Sequence, residues 1–112
     1  MTLVTRVAAL GAPDITRPDP ARVIAGDPVH STWLTEEAEG LWCGVWQSTP
    51  GTWRVVYEEW EYFRLTQGLS ILTPDGGAPI RLEAGDAWVI RPGFTGTWQV
   101  VDTTVKDFVI RI

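Results

Sequence analysis

The chain is poor in the residues from which most catalytic and metal centres are built: its 112 residues include one histidine, His30, one cysteine, Cys43, and one lysine, Lys106. A lone cysteine excludes an internal disulfide, and a lone histidine leaves no multi-histidine metal centre and no ready serine–histidine arrangement. Cys43 falls in a strand pattern, where a thiol serves as a small apolar core residue, and no base stands near it in sequence to activate it. No apolar run is long enough to span a bilayer and no early apolar stretch resembles a secretion signal, so a cytoplasmic protein with no membrane contact is expected. Positive charge is also scarce. With a net charge of −5 and nine basic residues scattered from Arg6 to Arg111, nothing in the chain suits a phosphate backbone, and nucleic acid is excluded as a partner.

Seven tryptophans (Trp33, Trp42, Trp46, Trp53, Trp60, Trp88 and Trp98) stand out against this. Each wide ring needs an apolar core, a subunit interface or a binding pocket to cover it. The balance of 45% hydrophobic and 21% charged residues is that of one folded globular domain.

Four of the eight prolines (Pro13, Pro18, Pro20, Pro28) fall early, which predicts an extended arm over residues 1–40 that lies on its own barrel or on a partner subunit. Its one expected helical turn is Thr35-Glu-Glu-Ala-Glu39, with Thr35 as cap and the glutamates at the positive end of the helix dipole. His30 lies in this arm and is expected at the surface, though it could reach a partner's pocket. Residues 41–112 change character to short runs of valine, isoleucine, threonine and aromatics divided by glycine and proline, the rhythm of an all-β domain. Strands are expected near 41–47, 52–58, 62–67, 69–73, 79–82, 87–91, 97–101 and 105–112. Pro74-Asp-Gly-Gly77 is a tight-turn sequence whose flanking strands should pair.

Eight strands with two glycine-anchored blocks suit a jelly roll. Gly51, Glu61 and Gly68 form the frame of a first block, and Gly85-Asp86 with Pro92-Gly93 that of a second. These blocks resemble the cupin (RmlC-like) double-stranded β-helix barrel. Gly51-x-Trp53, Glu61, Asp75-Gly76, Gly85-Asp-Ala87, Pro92-Gly-Phe-x-Gly96-x-Trp98 and Val105-Lys106 are similar to the small cupins of the ureidoglycine-aminohydrolase type. That group includes cupin halves of ureidoglycine aminohydrolases, relatives of an ethanolamine-utilisation protein and stand-alone domains with no assigned activity. The resemblance places the family's metal-binding histidines at Val55, Tyr57 and Gly96, and its metal-binding glutamate at Glu61. Three of these four positions carry no usual ligand, so no cofactor is expected. The Glu58-Glu59-x-Glu61 cluster leaves a divalent cation as the alternative, against the reading of a solvated strand end.

Strand alternation turns Trp53, Val55, Tyr57, Glu59 and Glu61 to one face, and Gly96, Trp98 and Val100 likewise. The expected pocket is aromatic with an acidic rim, and the missing side chain at Gly96 should leave room beside Trp98. A carboxylate inside a barrel must be paired, hydrogen-bonded or protonated, and Lys106 is the natural partner for Glu61. The leading expectation is a metal-independent domain that binds a small polar metabolite. Tyr57, Trp98 and Trp53 would stack on it, and Glu61 with Lys106 would supply the polar contacts. The alternatives are a small-metabolite enzyme with Glu61 as general acid or base assisted by Tyr57 and Lys106, and a homodimeric assembly module with no ligand.

Overall fold

A computed structural model describes residues 2–112. It is an all-β barrel of nine strands: β1 (Asp14–Thr16), β2 (Val23–Gly26), β3 (His30–Ala38), β4 (Leu41–Ser48), β5 (Gly51–Val56), β6 (Trp60–Pro74), β7 (Ile80–Glu83), β8 (Ala87–Ile90) and β9 (Thr95–Arg111). One 3-10 turn, Pro20–Arg22, precedes β2; Asp19 caps it by accepting from the Ala21 N–H.

The barrel is organised around β9. Its first half pairs antiparallel with β5 on one side and with the end of β6 on the other; its second half pairs with β4 and with the start of β6. Expected strands 62–67 and 69–73 are therefore one strand, as are 97–101 and 105–112. The sequence breaks at Gly68 and at Asp102-Thr-Thr104 are bends, not ends. At the corner the β6–β9 register slips between Leu65 and Ser70, and both strands turn together. Gly68 adopts φ +91°, and a Cβ there would sit 2.2 Å from the Thr103 carbonyl oxygen, so only glycine allows the two backbones to approach. The buried corner is tied by hydroxyls: Ser70 and Thr104 share a 2.7 Å hydrogen bond, the Trp98 indole N–H donates to Ser70, and Thr104 donates to the Asp102 carbonyl.

The expected helical turn at Thr35–Glu39 is absent. β3 continues to Ala38, and Glu39-Gly40 form a two-residue hairpin, both with positive φ, that returns the chain along β4. Five residues gain too little from local helical bonds to compete with a strand ladder that pairs Glu36 with Cys43 and Ala38 with Leu41. The region expected as an arm thus supplies a long strand that pairs with β4. Cys43, expected in the core, is only half-buried on β4.

The turn at Pro74–Gly77 joins β6 to β7 as expected, with the Gly77 N–H on the Pro74 carbonyl. Asp75 at its tip accepts two hydrogen bonds from Arg54 and one, at 2.7 Å, from the Thr95 hydroxyl, linking the turn to β5 and β9. These donors, Arg54 first, hold the Asp75 carboxyl down from 3.8 to about 2. A carboxyl depressed in the fold adds stability above its unfolded value and loses it as pH falls through its folded value. Thermal stability followed from pH 5 to pH 2 should therefore fall less steeply in Asp75→Asn than in the parent chain, and parallel curves would remove this clamp from the acid response.

The core runs along the barrel axis. Phe63, Leu65 and Leu82 are fully enclosed, and Trp98 is 1% exposed with Val100, Leu72, Ile90 and Phe108 packed near it. Complete burial of such side chains stabilises the fold by about 1.5–3 kcal/mol each.

Candidate functional site

One end of the barrel holds a cavity of about 410 Å³, into which β3, β4, β5, β9 and the segment before β6 all send side chains. Three strands are close neighbours here. Trp53 on β5 stands directly opposite Trp98 on β9, and Trp46 on β4 stands opposite Lys106 on β9. The same pairing gathers three indoles into one wall. Trp53 and Trp98 stack nearly parallel at 6.4 Å between centroids, and Trp46 meets Trp98 edge-on at 5.7 Å.

The polar floor of this cavity is a buried triad of Lys106, Glu61 and Tyr57. The Lys106 ammonium lies 2.9 Å from Glu61 Oε2, and the Tyr57 hydroxyl donates to Glu61 Oε1 at 2.7 Å. Both charged residues are 5% exposed or less. The ammonium also sits 4.6–4.7 Å from the ring centroids of Trp46, Trp98 and Phe63, so its uncovered faces are turned to aromatic π clouds. Burial first, then the charge of Glu61, pushes the Tyr57 hydroxyl well above its ordinary range, which keeps it a neutral donor. Tyr57 lies just past β5. Its backbone is pinned to the loop before β9 by hydrogen bonds with Phe94 and Gly93, and this fixes the direction of its ring.

Trp53, Val55, Tyr57, Glu59, Glu61, Trp98 and Lys106 all line the cavity, so alternation along β5 and β9 brings these expected residues together. Gly96 is the exception. It is buried but does not form part of the cavity wall, because the end of β6 closes over it: a Cβ there would fall 2.2 Å from the Thr73 carbonyl oxygen. The room expected beside Trp98 is filled by backbone.

His30, expected at the surface, is in the cavity. It opens β3 and lies between Trp46 and Trp53, at 5.1 and 4.7 Å between centroids. Burial, reinforced by the charge of Lys106, lowers its pKa to about 4, so its imidazole is neutral at neutral pH. Its Nε2 is buried and has no hydrogen-bond partner. The signal for it was alternation: His30, Thr32 and Leu34 all reach the cavity from one face of β3, as Trp46 does from β4 and Phe108 and Ile110 do from β9.

The donor set does not fit the metal centre that the resemblance to cupins implies. Val55 and Gly96 offer no ligand atom, the Tyr57 proton is committed to Glu61, and an ammonium stands against the Glu61 carboxylate. Among the described residues no three histidine, cysteine, aspartate or glutamate side chains converge. Glu58 is exposed, Glu59 lies at the cavity's edge and Glu61 is buried, so these three carboxylates face different surroundings.

The family model for the EutQ-like cupin domain matches residues 35–108. Among solved structures, a Pseudomonas syringae pv. tomato protein of unknown function superposes with a TM-score of 0.82 at 26% identity, over 91% of this chain and 44% of that one. The Clostridium difficile EutQ protein matches with a TM-score of 0.68 at 18% identity, over 75% of this chain and 63% of that one. The cupin domain of Schizosaccharomyces pombe Cnp3 matches with a TM-score of 0.64 at 10% identity, over 73% of this chain and 64% of that one. The chain thus spans less than half of the Pseudomonas protein and less than two thirds of the other two. No protein of curated function matches the sequence.

Proposed function

We propose, from the premise that this chain belongs to the EutQ-like cupin domain family, that it binds a small polar metabolite at the open end of its barrel without a metal ion. The observation that carries this reading is the cavity itself: about 410 Å³, lined by four tryptophans, three of them packed into one wall, and floored by a buried Lys106–Glu61–Tyr57 triad. A space of this size suits a small molecule, and a wall of aromatic and aliphatic side chains with fixed polar groups among them is how such sites orient one. The ammonium of Lys106 puts a positive charge against Glu61, where a metal ion would stand in a metal-binding relative. Both Glu61 oxygens are engaged by Tyr57 and Lys106, which favours binding over acid–base catalysis by Glu61. The sequence blocks around Gly51, Gly85-Asp86 and Pro92-Gly93 support a place beside the ureidoglycine-aminohydrolase-type cupins, whose metal chemistry this donor set does not serve.

The test is metal analysis of the purified protein beside a thermal-shift screen of divalent ions and small polar metabolites. Stabilisation by a metabolite, lost in a Trp53→Ala chain and reached with no stoichiometric metal, is the expected result. Stoichiometric metal, or silence across the metabolite screen, would overturn the reading.

A homodimer in a cytoplasmic setting belongs to the same proposal. It is supported by the segment before β1, where Leu3, Val4 and Leu10 are 91%, 84% and 75% exposed, leaving apolar side chains that a second copy could cover. Removal of residues 1–13 should shift the sedimentation profile from dimer to monomer. An unchanged profile would take the segment out of any subunit contact.

A further inference from the structure

Resting on the binding reading above, we infer that the cavity takes an aromatic ring that bears a hydroxyl group and no negative charge, and that the hydroxyl is held by His30 Nε2. Most of the buried polar groups of the cavity are already engaged with one another. Glu61 is engaged on both oxygens, Tyr57 spends its hydroxyl hydrogen on a bond to Glu61, and the Lys106 charge is matched by Glu61 and covered by three rings. His30 Nε2 is the one buried side-chain nitrogen or oxygen without a partner among the described residues. Buried polar atoms in native folds are nearly always satisfied, and leaving one unmet is costly. This buried free nitrogen calls for one polar group on the part of the ligand that lies against it.

The charge of the ligand follows from the surroundings of the histidine. The imidazole is neutral at neutral pH, so it offers no ion pair to a carboxylate or phosphate. Glu59 and Asp14 line the same cavity and repel anions on entry. A hydroxyl suits a neutral imidazole in either tautomer, because it can donate to a bare Nε2 or accept from a protonated one. The flat part of the ligand follows from the walls: Trp46 and Trp53 flank His30 within 5.1 Å, so a group on Nε2 lies among indole rings, where a second aromatic ring packs by stacking or edge contact.

Phenol, toluene and benzoate, similar in size and different in the one group that matters, form the test. Each is titrated into the full chain and followed by ligand-observed NMR. Phenol should bind about tenfold more tightly than toluene, the value of one net hydrogen bond, and benzoate should bind more weakly than either. His30→Phe keeps an aromatic ring and should bring phenol down to the toluene level while toluene is unchanged. His30→Gln restores a hydrogen-bonding end and should recover part of the difference. Should His30→Phe fail to fold, the ranking in the parent chain and the glutamine variant carry the test. Toluene or benzoate binding as well as phenol would overturn this inference and leave a ligand site in the barrel. No aromatic probe binding, with a metabolite active in the thermal-shift screen, would also overturn it, and silence in both experiments would remove the binding reading itself.

Discussion

Glu61→Gln is expected to lower the free energy of unfolding by about 3–5 kcal/mol, because it leaves the Lys106 ammonium buried beside a neutral amide. The site offers that charge little else. Lys106 is 5% exposed, and aromatic faces at 4.6–4.7 Å are weaker partners than a carboxylate at 2.9 Å. Much of the loss is the penalty of stranding one charge and says little about the net value of the pair. The triple change Tyr57→Phe, Glu61→Leu and Lys106→Met, which removes every polar member of the triad together, should recover most of the stability. Urea unfolding of both variants beside the parent chain tests this. A single variant as stable as the parent would mean that water reaches Lys106 and that the floor of the cavity is wet. A triple variant as unstable as the single one would mean that the triad contributes net stability, in which case its presence in the barrel needs no functional account.

Gly96→Ala should be nearly as damaging, by about 3 kcal/mol, although it adds one methyl group. That carbon would lie 2.2 Å from the Thr73 carbonyl oxygen and 3.1 Å from the Pro74 Cα. The Phe94 ring, 3.0 Å away, can turn aside, but Thr73 and Pro74 present backbone, so β6 must shift from β9 where Pro74 pairs with Gly96. The same geometry forecasts the outcome of reinstating a cupin ligand: Gly96→His should destabilise the fold and gain no metal, so manganese or zinc should leave its melting temperature unchanged. A stable Gly96→His chain that melts higher with metal would show that the closure of β6 over Gly96 is soft. Thermal melts with and without added ions decide the point.

The all-β character and the Glu61–Lys106 contact were legible because they rest on short-range rules, whereas the cupin barrel was legible through the resemblance of its glycine-anchored blocks. Alternation along β5 and β9 sorts inward from outward residues, and a chain with one lysine offers few partners for a buried glutamate. The parts that were not legible depend on strands far apart in sequence. The proline-rich start hid β3, so His30 looked like a surface residue, when its place is set by pairing with β4 between two tryptophans. Gly96 looked like a vacated ligand position because its sequence neighbours cannot reveal that Thr73 lies against it. The breaks at Gly68 and at 102–104 carry ordinary turn chemistry, and only the joint bending of β6 and β9 makes them corners of continuous strands.

The central position of β9 also sets an order of events during synthesis. β5 and β6 each take their longest ladder from residues 95–111, β4 takes one there as long as its ladder with β3, and none of the three is paired with another of them. While the ribosome is still short of residue 95, the edge of each that faces β9 is unpaired, and Trp46, Trp53 and Phe63 lack the Trp98 ring against which they pack. Ladders that join such distant segments close slowly and leave the nascent chain exposed to association meanwhile. Yield on overexpression should therefore depend more on growth temperature and chaperone supply than the melting point of the finished barrel would suggest.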